Sequence, residues 1–76
     1  MKEYSVYRFI TEVLKLTPQD FAHKAKITRH VLSSYRLQHT CVGDLPLALI
    51  SDLANFANMN LEETVEKLWQ FELEAV

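Results

Sequence analysis

Arg29, His30, Ser33, Ser34 and Arg36 fall on one side of residues 28–37, while Leu32 and Tyr35 at i and i+3, with Val31 beside them, fall on the other. A helix built on that pattern turns a polar, basic surface outward. Residues 17–26 form a second short amphipathic stretch just upstream, and the next helix starts only two or three residues after this one stops. Two short helices joined by a tight turn, with Arg29 and His30 leading the outer face of the second, can present side chains to base edges while the first helix braces them. The spacing by itself is also that of any helical hairpin in a small bundle.

Other chemistries find less to work with. His39 and Cys41 are two residues apart and His23 and His30 seven apart, but no CxxC or HxxxH set completes a metal site. A Cys–His nucleophile pair would lack both a third orienting group and an oxyanion loop. The expectation is therefore no metal, no cofactor and no catalysis. A chain of 76 residues also buries too little surface to wall a cleft, and fits one domain with a single working surface.

The elements that must position these side chains are helical. One glycine, Gly43, and two prolines, Pro18 and Pro46, leave the many turns of a β-protein without the residues to build them. Val6, Phe9, Ile10, Val13 and Leu14 predict a first helix over residues 5–14 with one core face. Thr17 as N-cap, Pro18 at the first helical position and Asp20 three residues after the cap open a second helix, which buries Phe21, Ala22 and Ala25 and ends near Lys26. Thr28 caps the third. Residues 38–43 read as a loop, and Asp44 with Pro46 in the first turn opens a fourth helix carrying Leu49, Ile50, Leu53, Ala54 and Ala57. Asn60, with Glu63 completing a capping box, starts a fifth that extends toward Val76. The fold class predicted is all-α, a compact bundle of about five helices.

Hydrophobic residues make up 49% of the chain and charged residues 24%, the balance of a folding globular protein rather than a disordered tail. No apolar run approaches a membrane span, Arg8 and Glu12 interrupt any signal-like region, and the lone Cys41 forms no internal disulfide. These features predict a cytoplasmic protein. The formal net charge of −2 weighs against nucleic acid, but its distribution is uneven. Residues 1–40 hold seven lysines and arginines against three carboxylates; residues 41–76 hold Lys67 alone against seven. One reading is a protein that turns its basic half to a polyanion, and the other is ordinary solvated faces of mixed sign.

Residues 16–28, LTPQDFAHKAKIT, resemble the helix-turn opening of Cro and phage-repressor-type regulators, the XRE family, which typically reads L-T-Q-x-x-L-A-x-x-x-G-I-S. The resemblance continues through Leu32 and Tyr35 at the two buried positions of the recognition helix. It resumes at Leu53, Ala54, Ala57, Met59 and Leu61-Glu62-Glu63, similar to the family's I-A-x-x-L-x-V-x-L-x-E run, and covers roughly residues 5–65. It implies a lambda-repressor-like helix-turn-helix domain with the motif at residues 17–37, a third helix lying in the major groove of double-stranded DNA, and base-reading side chains at Arg29, His30, Ser33 and Ser34. An arginine at position 29 can donate two parallel bonds to guanine O6 and N7, worth about 1–3 kcal/mol of discrimination. Phosphate contacts are expected from the start of the second helix and from Lys26, Arg36, Gln38, His39 and Thr40.

The departures are specific. Pro18 stands where the family commonly has glutamine, so a phosphate contact is lost. Lys26 stands where the family favours glycine, and a left-handed backbone there costs a residue with a side chain roughly 1–2 kcal/mol. Arg36 and Gln38 replace the glutamate and glycine that often end the recognition helix.

The fifth helix, residues 60–76, carries Leu61, Val65, Leu68, Trp69, Leu73 and Val76 as a broad apolar stripe, with Phe71 expected to point away from it. That is more apolar surface than one core needs. One reading is a homodimer, as the resemblance implies for two half-sites, with Trp69, Phe71 and Leu73 at the dimer interface; the other is that Trp69 simply caps the core and Phe71 is a lone exposed aromatic. The leading expectation is thus a DNA-binding transcriptional repressor. The alternative keeps the fold but makes the chain a protein-interaction module, antitoxin-like or phage-encoded, whose acidic last helix docks on a partner.

Overall fold

The structure, a computed structural model, describes residues 4–74, and Val76 lies outside them. It is all-α: α1 Ser5–Arg8, α2 Pro18–Ala25, α3 Arg29–Leu37, α4 Leu47–Ala57 and α5 Leu61–Glu74, with a 3₁₀ turn at Val42–Asp44 and no strand among the described residues.

α1 does not continue as one regular helix to residue 14. From Phe9 to Val13 the backbone widens into a π-turn, with the Leu14 N–H donating to the Phe9 carbonyl at 3.2 Å. The Thr11 hydroxyl sits inside this turn, donating to the Tyr7 carbonyl at 3.0 Å. Wider winding rotates later residues away from the face set by earlier ones. Val6, Phe9 and Ile10 are accordingly fully buried, whereas Val13 and Leu14 only lean on the core's edge.

The start of each of the next two helices is local chemistry. Asp20 N–H donates to Thr17 Oγ1 at 3.0 Å, and Val31 N–H donates to Thr28 Oγ1 at 3.2 Å. α2 closes with Lys26 in the left-handed region, φ 60° and ψ 35°, while Ile27 N–H donates to the Ala22 carbonyl at 3.0 Å. The strain has a reason: the turn swings Ile27 back against the core. Lys15, His39 and Asn58 are also left-handed, and Gly43 is not. At two of these four helix ends the strained residue is lysine, so a cationic side chain sits by the negative end of the helix dipole and offsets part of the cost.

α4 begins later than the sequence suggests. Asp44 belongs to the 3₁₀ turn rather than to a helix cap, and Pro46 is the N-cap of α4 rather than part of its first turn. Residues 38–43 are not wholly loop either, because Val42 opens the 3₁₀ turn and drops into the core. Asn60 and Glu63 form the reciprocal capping box, Glu63 N–H to Asn60 Oδ1 at 2.8 Å and Asn60 N–H to Glu63 Oε1 at 3.4 Å.

One core unites all five helices. Phe9 and Ile10 meet Phe21, Leu32, Leu53 and Leu68, and Phe21 takes an edge-to-face contact from Phe56 at 5.4 Å between ring centroids. Thr64 is the one fully buried polar side chain among those described, satisfied by donating to the Asn60 carbonyl at 2.9 Å.

α5 buries a different stripe from the one its sequence suggests. Leu61, Val65, Trp69 and Leu73 recur every four residues, and at 3.6 residues per turn such a row drifts about 40° per step around the axis. Only Val65 of that row leans on the core, whereas Leu61 is 42% exposed, Trp69 52% and Leu73 76%. The buried face is Thr64, Leu68 and Phe71. Phe71, expected to point outward, is only 4% exposed and lies under the Arg8 guanidinium at 4.2 Å from its ring centroid. It belongs to the core and is withdrawn as a dimer-interface residue.

Candidate nucleic-acid interface

α3 is held at both ends and in the middle. Thr28 caps its start, Leu32 is its one fully buried residue, and Tyr35 packs half-buried on the core. At its far end Gln38 donates to Ser34 Oγ at 3.3 Å, and the Thr40 carbonyl accepts the Tyr4 hydroxyl at 2.7 Å. The Val42 N–H just beyond donates to Glu72 of α5 at 3.0 Å. The segment after α3 is therefore tied to the start of the chain and to α5.

The proposed base-reading side chains divide into two rows. Arg29, Ser33 and Arg36, spaced i, i+4 and i+7, line one flank, which forms a groove with Tyr7 and with Thr17, Pro18 and Gln19 at the start of α2. His30 and Ser34 stand on the crest, with Leu37, 73% exposed, one turn further on. Arg29 and His30 are exposed, whereas Ser33 and Ser34 are half-buried and offer hydroxyls of short reach. Arg29 also borders a second hollow with Asp20, His23 and Ile27, so its guanidinium stands on the ridge between the two.

The proposed phosphate contacts are less uniform. Lys26 is exposed in the turn, two residues from Thr28, which caps α3. Arg36 is exposed but lies 5.7 Å from the Tyr7 ring centroid, a cation–π distance that aims the guanidinium along the groove. Gln38 and His39 are exposed, His39 in a left-handed conformation. Thr40 is half-buried, and its carbonyl is already engaged by Tyr4. At the start of α2, Pro18 has no N–H and the Asp20 N–H is taken by Thr17, which leaves the Gln19 N–H as the open donor. Sequence reasoning missed Tyr7 and Gln19 as groove walls. Tyr7 lies off the apolar face of the first helix, and its aromatic ring was the available signal.

Arg8, counted with the basic half, is not part of this surface. It pairs with Glu12 at 2.7 Å and with Glu74 at 2.9 Å, and those hydrogen bonds raise its pKa further above the usual arginine range while holding Glu12 below the usual carboxylate range. Cys41 is exposed, and the neighbouring Glu72 carboxylate keeps the thiol above its ordinary range. A thiol held protonated is a weak nucleophile. No group of three or more metal-ligating side chains occurs among the described residues, and no helix there is long and apolar enough to cross a membrane. No protein-family model, curated protein or solved structure matches the chain.

Proposed function

We propose that this chain is a sequence-specific regulator that binds double-stranded DNA by laying α3 in the major groove, a diverged relative of the Cro and phage-repressor-type proteins. The observation that carries the reading is the surface of α3. It has no carboxylate, exposes Arg29, His30 and Arg36, and is set at a fixed angle by a three-residue turn whose Lys26 adopts the backbone that the family's glycine would. Arg29 reads a base, with His30, Ser33 and Ser34 contributing along the crest and flank. Lys26, Arg36, Gln38, His39 and the Gln19 N–H hold phosphates and set the register. Two copies, one per half-site, occupy a palindromic operator in the cytoplasm and repress by blocking it. No cofactor enters this reading.

Fluorescence anisotropy of random and selected duplexes at several salt concentrations tests it. Phosphate contacts require log affinity to fall linearly with log salt. Selection from a random pool should enrich a palindrome. Absent or salt-independent binding would overturn the proposal. A second reading, a protein-interaction module of the same fold, is favoured by the exposed Trp69 and Leu73 on the acidic α5.

A further inference from the structure

The outer flank of α5 is apolar and acidic at once. Trp69 and Leu73 project from it at i, i+4, 52% and 76% exposed. Glu62 and Glu66, both exposed, run along the solvent side of that row by helical spacing, and Glu72 lies on its inner side. No cation answers them from the same half of the chain, because residues 41–76 contain only Lys67. Lys67 lies over the Phe71 ring at 5.0 Å from its centroid and shares a surface hollow with Glu63 and Glu66, away from Trp69 and Leu73. Arg8 is on that side too, between Phe71 and Glu74.

A tryptophan and a leucine facing water beside Glu62 and Glu66, which form no ion pair among the described residues, make a recognition surface with a defined complement. Large aromatic side chains with apolar neighbours supply binding energy, and the charged rim selects the partner. A second copy fits poorly, since two α5 flanks packed together would set Glu62 and Glu66 against the carboxylates of the other copy. An anionic membrane surface or a nucleic acid is repelled for the same reason. We infer that this flank docks a cationic amphipathic helix of a partner protein, its apolar stripe against Trp69 and Leu73 and its lysines or arginines over Glu62, Glu66 and Glu72. This site is independent of α3 and does not rest on the DNA reading.

Trp69 is the only tryptophan in the chain and therefore reports on its own site. The probe is a tryptophan-free synthetic helix with one leucine face and one lysine face, titrated into the full chain while Trp69 emission is followed. The expected result is a saturable blue shift, weakened roughly tenfold in the Glu62→Lys, Glu66→Lys double variant and lost in Leu73→Asp. All variants should keep a cooperative circular dichroism melt, because these side chains are exposed, with the double variant slightly lowered by the cation placed in the first turn of α5. A matched helix with glutamates in place of lysines should not bind. No shift with the lysine peptide, equal binding of the glutamate peptide, or undiminished binding by the double variant would overturn the inference. So would sedimentation showing a dimer in which Trp69 is already shielded before peptide is added, which would assign the flank to a second copy.

Discussion

α3 and α5 are anchored in opposite ways. α3, nine residues long, has one fully buried side chain, Leu32, and depends on its caps and on Tyr4 beyond its end. α5, fourteen residues long, buries Thr64, Leu68 and Phe71 and is clamped by Arg8 at its far end. Of these two, the helix with less in the core is the one whose surface is cationic and free of carboxylates, and the helix with more in the core is acidic. A short helix that fully buries only Leu32, with Tyr35 leaning on the core beside it, keeps its outer face for recognition, but its orientation then rests on a few contacts.

The largest expected effect breaks that contrast directly. Leu32→Ala should cost about 2–5 kcal/mol in denaturant unfolding and abolish DNA binding, while Leu68→Ala should cost a similar amount of stability. If Leu32→Ala costs under about 1 kcal/mol, α3 is held by something other than its single buried residue. Arg29→Ala should remove about 1–3 kcal/mol of discrimination at one or two base positions with little change in melting temperature. An equal loss on all sequences would make Arg29 a phosphate contact.

Tyr4 sharpens the comparison at the far end of α3. Tyr4→Phe should cost about 0.5–1.5 kcal/mol at neutral pH through the lost bond to the Thr40 carbonyl. Burial, with Glu72 and Cys41 nearby, pushes the Tyr4 phenol up from 10.0 to about 12. The folded state holds that proton more tightly than the unfolded chain, so this contribution is intact below pH 10 and is lost as pH rises toward 12. Tyr4→Phe should flatten that part of the alkaline unfolding profile, and an unchanged profile would show that Tyr4 titrates as it does in the unfolded chain. Lys26→Gly should stabilise the fold by on the order of 1 kcal/mol in thermal unfolding, since glycine relieves the left-handed strain. The gain should be partly reduced by the lysine charge lost from the end of α2.

Much of the architecture was legible because it is local. Thr17, Pro18 and Asp20, then Thr28, then Asn60 with Glu63 each close a hydrogen bond within three residues, and each starts a helix where the sequence places one. The candidate reading helix was legible for the same reason, its buried side resting on Leu32. What was not legible depended on partners remote in sequence. The division of Arg29 and Ser33 from His30 and Ser34 needs Tyr7 and the start of α2 to form one wall of a groove.

The amino-acid order by itself determined five helices, the caps at Thr17, Thr28 and Asn60, and the separation of a basic first half from an acidic second one, because each follows from the residue types and their short-range spacing. Only the tertiary structure decided which face each helix buries. A row repeating every four residues and a row alternating four and three both read as apolar stripes. α5 turns Thr64, Leu68 and Phe71 inward because there Phe71 fits beneath Arg8 and Leu68 enters the shared core, and Trp69 and Leu73 are left on the outside.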